Sequence, residues 1–152
     1  MDDFSAILLA GGHCPDIRPY LENTLLHALV AGFNEQKKSI AAICHGVILA
    51  ARSGVLHQRK VTALPEWMES LAFNLTRIWM GSYYKTYPNI SVEAEVAAAA
   101  HEFVAGPYSF ARDCPDNLRA GFVVQDENII TARWPGDAHA FANAILLDRL
   151  AA

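Results

Sequence analysis

The sequence predicts an α/β fold: a mostly parallel sheet with helices on both faces. Three observations carry that expectation. Two short runs, "FSAILLA" at 4–10 and "SIAAI" at 39–43, are apolar almost throughout. Without an in–out alternation, such strands are buried on both sides, as in parallel sheets. Between them, Leu21, Leu25, Leu26, Leu29, Val30 and Phe33 recur at helical spacing. Glycine or proline closes several of the runs, at Gly11-Gly12, Gly54 and Pro65. Strands alternating with helices in one chain imply a parallel arrangement.

Taken in order, 4–10 is a buried strand that stops at the Gly11-Gly12 turn. Residues 18–36 read as one helix with Gly32 near its end, and 39–43 as the second strand. Residues 46–54 read as a helix ending at Gly54, and "KVTAL" at 60–64 as a third strand that Pro65 ends. Residues 66–75 are helical. The aromatic stretch 78–88 reads as loop, and 89–103 passes from strand or loop into an alanine-rich helix. Residues 122–132 form a hairpin turning at Asp126-Glu127-Asn128. Residues 136–150 close the chain as an amphipathic helix with Asp137 near its N-cap.

With 152 residues the chain is long enough for one domain with a real core. A content of 53% hydrophobic and 18% charged residues excludes a disordered chain. The net charge of −4 and the lack of a Lys/Arg block argue against nucleic acid as a partner; "HQRK" at 57–60 reads as a polar turn. No apolar run reaches membrane-spanning length, and the acidic start does not resemble a signal peptide. A cytoplasmic location is expected. Cys14, Cys44 and Cys114 form no CxxC pair and read as reduced thiols.

The chemistry concentrates at "AICHG", 42–46. Sites in parallel sheets form at the carboxyl ends of strands. Cys44 falls at such an end, where the chain turns into a helix, as a nucleophile does on a strand-to-helix elbow. Gly46 leaves room for the turn. The amides and dipole at the start of the following helix are expected to favour thiolate. His45 supplies an imidazole for proton transfer. The plainer alternative is a buried cysteine packing as a small hydrophobe.

"AICHG" after a short strand, with "AILLAGGH" before it, "LAARSGVLHQRKVTALP" after it and "NIITARWPGDAHAFANAIL" at the end, resembles the ThiJ/PfpI superfamily from about Phe4 to Leu150. This is a class I glutamine amidotransferase-like group that includes the parkinsonism-associated deglycase and heat-shock chaperone/glyoxalase branches. The resemblance implies a flavodoxin-like three-layer sandwich with Cys44 as nucleophile and His45 as its neighbouring histidine. In the heat-shock branch a carboxylate a few residues past a proline completes the triad. Glu69, four residues after Pro65, takes that place ahead of Glu66, one helical turn away. The acid would hold the imidazole tautomer. The backbone amides of Gly12, in the Gly11-Gly12 turn, and of His45 would form the oxyanion hole. The implied substrate is a small aldehyde or other reactive carbonyl, with no cofactor. Peptidase or amidase activity is a second enzymatic option. A redox-sensing or chaperone-like module of weak activity is the alternative from another class.

His13 and Asp16 share the rim of this site, as pocket wall or as helix caps. Cys14 reads as a bystander ahead of a second redox thiol, Cys114 as a loop cysteine, and His139 as helix surface or core. The histidines show no metal-ligand spacing, so no metal site is expected. Trp79, Tyr83, Tyr84 and Tyr87 read as core or oligomer contact, then as pocket wall. Family members carry further elements before the "AILLAGG" strand. The resemblance thus implies a fold truncated at its N-terminal side, whether fragment, part of a longer protein or short form. Its uncovered strand edge and apolar face would favour association, as a homodimer.

Overall fold

Along the strand Ser39–Ile43, Ile40 and Ala42 belong to one hydrophobic core and Ala41 to a second on the opposite face. That division makes three layers, as side chains alternate across a strand. The computed structural model describes residues 3–151. The first strand, β1 (Ala6–Leu9), is followed by α1 (Arg18–Leu21), α2 (Thr24–Glu35) and β2 (Ser39–Ile43). Then come α3 (Gly46–Arg52), β3 (Lys60–Val61), α4 (Glu66–Met80), α5 (Val92–Ala99) and β4 (Glu102–Phe103). A hairpin of β5 (Val123–Asp126) and β6 (Ile129–Ala132) precedes the last helix, α6 (Ala138–Ala151).

The main sheet has the order β1-β2-β6-β5. β1 and β6 both lie parallel to β2, in the registers Ala6↔Ser39 and Ile40↔Ile129; β5 lies antiparallel to β6. On one face Val30, Phe33, Val47, Ile48 and Leu49, from α2 and α3, pack with Ile40 and Ala42. On the other, Phe141 and Ile145 of α6 cover Ala41, Ile130 and Ala132. The fold is mixed α/β with a mostly parallel sheet, as the apolar runs predict.

Five local expectations change. The single helix over 18–36 is two, because Asn23 turns to extended backbone and caps α2, its side chain accepting from the amides of Leu25 and Leu26 at 3.0 and 3.1 Å. The third strand shrinks to Lys60–Val61 and pairs with β4 in a separate two-stranded sheet. Beyond it, the Thr62 amide donates to the Thr131 hydroxyl at 2.9 Å in place of a ladder carbonyl. Helix α4 runs on to Met80 through residues read as loop, and Gly81, at φ +56°, ends it. Burial on both faces fails for β1: Leu8 is 61% exposed, because α6 covers the Ala41 face of β2 and stops short of the edge strand. Finally, Asp137 is no N-cap. It is fully buried against Arg133, and the Asp113 carboxylate caps α6 by accepting from the amides of His139 and Ala140.

Candidate active site

The carboxyl end of β2 is where the backbone departs from ordinary geometry. Cys44 has φ +58°, a left-handed conformation that costs a side-chain-bearing residue about 1–2 kcal/mol. It is held there from several sides. Its amide donates to the Ala132 carbonyl of β6 at 3.0 Å, and its carbonyl accepts from Val47 at 3.2 Å as α3 begins. A Cβ on Gly11 would lie 2.7 Å from the Cys44 Cβ, and one on Gly46 only 2.6 Å from the Ala10 carbonyl oxygen. The two glycines thus let the end of β1 and the start of α3 close on the elbow. Backbone strain of this kind persists only where its surroundings over-determine it, and it clusters at functional sites.

Cys44 and His45 are 2% and 0% exposed. The thiol Sγ lies 3.4 Å from His45 Nδ1. The other ring nitrogen of His45, Nε2, has no hydrogen-bond partner, so Glu69 does not hold the imidazole by a direct bond. Glu69 is nonetheless buried. It accepts from the Val92 amide at 3.1 Å and lines a cavity of about 280 Å³ with His13, Met68, Tyr84, Phe110, Arg112 and Trp134. Glu66 points elsewhere: it accepts from the Ser91 hydroxyl at 3.3 Å, outside that cavity. His13 is common to the cavity and to the Cys44–His45 pair. It lines the cavity, and its ring centroid is 5.2 Å from that of His45. Ligand atoms of His13, Cys44 and His45 all lie within 4.8 Å of one another. Gly12 faces Ile17, Asp16 is exposed away from the cavity, and Cys14 opens the short turn Pro15–Ile17. Cys114 is an exposed loop thiol, and His139 lies 3.1 Å from Asp113.

The electrostatics correct one expectation. Burial pushes the Cys44 thiol up to about 12, and the Glu69 charge adds to that, while the His45 backbone amide pulls the other way. Desolvation outweighs the helix terminus, so the resting sulfur is a neutral thiol. Burial likewise lowers His45 to about 3, with His13 beside it adding to the effect. Burial lowers His13 too, and it raises Glu69 against the opposing pull of the Val92 amide and Lys85. The resting pair is therefore thiol and neutral imidazole, a donor facing an acceptor.

A strained cysteine at a strand-to-helix elbow, against an adjacent histidine, agrees with the sequence comparison: the profile of the DJ-1/PfpI family matches residues 1–148. The chain belongs to the DJ-1/PfpI family. A deglycase of Thermococcus kodakarensis is 37% identical over 140 residues, which cover 92% of this chain and 59% of that protein. An uncharacterized protein of Schizosaccharomyces pombe is 29% identical over 142 residues, 84% of this chain and 41% of its own length. Among solved structures, the rapid encystment protein of Francisella tularensis superposes with a TM-score of 0.72 at 22% identity, over 97% of this chain and 59% of that one. Glyoxalase III of Candida albicans gives 0.67 at 15% identity, over 97% and 58%. The chain thus spans about two fifths to three fifths of the length of these relatives, and the structural likenesses speak to the fold.

Within this DJ-1/PfpI fold, several cavity residues were not singled out by the sequence, although Trp134 lies in the "NIITARWPGDAHAFANAIL" stretch that carries the resemblance. Phe110, Arg112 and Trp134 come from loops far from the "AICHG" run. Arg112 stacks over the Trp134 ring at 5.2 Å, and Phe110 meets the same indole edge-on. Of the aromatic stretch, Tyr84 is pocket wall and packs on His13 at 5.0 Å between centroids. Trp79 is 70% exposed, and Tyr87 bonds Arg52 and Glu22.

Proposed function

We propose that this chain carries a cysteine-dependent activity of the glyoxalase or deglycase type, acting on small reactive carbonyls. The observation that carries the reading is the left-handed Cys44 with its thiol facing His45 Nδ1, one side chain back from a cavity lined by Glu69. The name of the Thermococcus relative supports the substrate class.

The chemistry follows from the neutral pair. An aldehyde such as methylglyoxal enters the cavity, and rotation of the His13 ring uncovers the sulfur. Sγ attacks the aldehyde carbon as its proton passes to His45 Nδ1 and on to the carbonyl oxygen. The product is a hemithioacetal, with one S–C bond formed and no change in overall oxidation state. Glu69, whose burial brings its basicity closer to neutral, moves the proton from C1 to C2. The resulting thioester is hydrolysed to the hydroxy acid and the free thiol. The His45 amide, and that of Gly11 or Gly12, faces the developing oxyanion. No cofactor enters the scheme. In this reading Glu69 works from across the cavity, and a substrate or water bridges it to His45.

The test is methylglyoxal consumption and lactate formation by the purified chain. Wild type turns over; Cys44→Ala is inactive; Glu69→Gln loses about 100-fold or more, the scale of general acid–base catalysis. Equal rates in all three proteins would end the reading. The rival is a chaperone-like or redox-sensing module. It draws on the apolar outer face of α4, where Leu75, Ile78 and Trp79 are 61%, 88% and 70% exposed. Client protection that survives Cys44→Ala would favour it. The exposed Leu8 on edge strand β1 supports association of copies as a dimer, which sedimentation equilibrium measures. Three free thiols suit a reducing, cytoplasmic setting, and no described helix is long and apolar enough to cross a membrane.

A further inference from the structure

His13 Nδ1 and His45 Nε2 are both buried without a hydrogen-bond partner. A buried polar atom left unpaired is costly, and such orphans are rare. The other unpaired buried side-chain atoms among the described residues are the Thr62 hydroxyl and the indole N–H groups of Trp67 and Trp134. Those are donors, or a hydroxyl able to rotate. The two imidazoles differ, because each neutral ring keeps one lone pair: His45 offers its own at Nδ1, 3.4 Å from the Cys44 sulfur, and ligand atoms of His13, Cys44 and His45 all lie within 4.8 Å of one another.

The donor set is two imidazole nitrogens and one sulfur. That excludes calcium and magnesium, which take oxygen ligands, and suits a borderline ion of the zinc class. In a tetrahedral zinc site, bonds of about 2.0–2.1 Å to nitrogen and 2.3 Å to sulfur set donor–donor separations of roughly 3.3–3.6 Å. The Cys44–His45 pair already sits at 3.4 Å, and binding would have to draw His13 inward from a separation of up to 4.8 Å. The chain sequence hides the set, since His13 follows β1 while Cys44 and His45 follow β2; the parallel pairing of the two strands brings their ends together.

We propose that His13, Cys44 and His45 form a three-ligand site for a zinc-class divalent cation, with the fourth position open to the cavity. Binding exchanges the thiol proton for the metal: the S–H bond breaks, an S–metal bond forms, and the proton leaves to solvent. No electron moves. A cation so held occupies the nucleophile's lone pair and blocks carbonyl attack, so the site is a reversible off-switch. That consequence rests on Cys44 being the nucleophile proposed above; the binding itself does not.

The experiment uses the full chain, stripped with a chelator and desalted, titrated with cobalt(II) chloride and followed by absorption. Zinc chloride is titrated in parallel by calorimetry. One cobalt per chain is expected, with a thiolate-to-metal charge-transfer band and the visible bands of a four-coordinate ion. Zinc should displace it. Cys44→Ser abolishes the charge-transfer band. His13→Ala and the milder His13→Gln weaken binding by more than the roughly 10–100-fold that loss of even an outer partner costs. Circular dichroism establishes that each variant is folded. Cobalt bound without the charge-transfer band, no binding at all, or binding unchanged in both His13 variants overturns the proposal. Because these readouts are spectroscopic and calorimetric, they separate from turnover. A chain that consumes methylglyoxal yet binds no metal refutes only the switch. One that binds metal through Cys44 yet turns nothing over refutes only the enzyme.

Discussion

Two buried polar clusters sit at the ends of neighbouring strands, and they are built on opposite principles. After β6, Arg133 and Asp137 are both fully buried, with guanidinium and carboxylate 2.8 Å apart. Every side of that pair is answered. Asp137 also accepts from the amides of Phe122 and Arg133, and Arg133 donates to the Pro107 carbonyl at 2.9 Å. After β2, Cys44 and His45 are just as buried, yet one imidazole nitrogen has no partner and the cysteine backbone is strained. The difference teaches that burial alone does not mark a site. A satisfied cluster holds loops together; an unsatisfied one has bonds still to make.

The largest test of that contrast is Asp137→Ala, which leaves the Arg133 guanidinium buried without its partner. Such a break costs about 3–5 kcal/mol, read as a shift in the denaturant midpoint. Stability unchanged by this variant would dissolve the distinction. Cys44→Ala is the mirror image: methylglyoxal turnover disappears, while stability moves by no more than about 1–2 kcal/mol. Cys44→Gly sharpens it, because glycine accepts φ +58° freely; it should be more stable than Cys44→Ala by about 1 kcal/mol.

The pH dependence of stability probes the second cluster directly. His45 at about 3 in the native chain lies below its unfolded value near 6.5. Between those limits the unfolded chain binds a proton that the native chain refuses. Stability from this group is present above about pH 6.5 and is lost as pH falls toward 3, by up to about 1.4 kcal/mol per unit. His45→Gln should flatten the decline between about pH 6.5 and 5, above most carboxylate titration. Cys44 acts on the other side. Its native value of about 12 lies above the ordinary 9.0, so its contribution holds at neutral pH and is lost as pH rises from 9.0 toward 12. Cys44→Ala removes that alkaline loss.

The smallest effect is kinetic. At pH 7 iodoacetamide should modify exposed Cys114 before Cys44, and Cys44 labelling should keep rising above pH 9. His13→Ala removes a cavity-lining ring with a nitrogen within 4.8 Å of the Cys44–His45 pair, and should raise the thiol's rate several-fold. Intact-mass and peptide mapping read both. Rapid Cys44 labelling at neutral pH in the wild type would mean that the thiol is not held neutral by burial.

The sequence by itself determined the layers and the elbow. Continuous apolar runs at 4–10 and 39–43 mark strands, buried almost throughout in the second run and only partly in the first, and the thiol at the strand-to-helix seam follows from the order of residues in "SIAAICHG". Both are local statements, carried by periodicity and by neighbours in the chain. The choice of Glu69 over Glu66 came from the family resemblance, and burial then separated the two carboxylates. Tertiary structure alone decided the rest. The break at Asn23 depends on a side chain choosing to cap a helix, and the use of Asp113 as the cap of α6 joins residues 26 and 27 apart in sequence. Phe110 and Arg112 reach the cavity from a loop with no motif, and Trp134 from a stretch whose resemblance to the family did not mark it as pocket wall. The protonation of the site also lay outside sequence. A helix terminus beside a cysteine argues for thiolate, and only the packed interior shows how much water has been excluded. That desolvation exceeds the dipole, so the cysteine read from sequence as a thiolate folds as a neutral thiol beside a neutral imidazole.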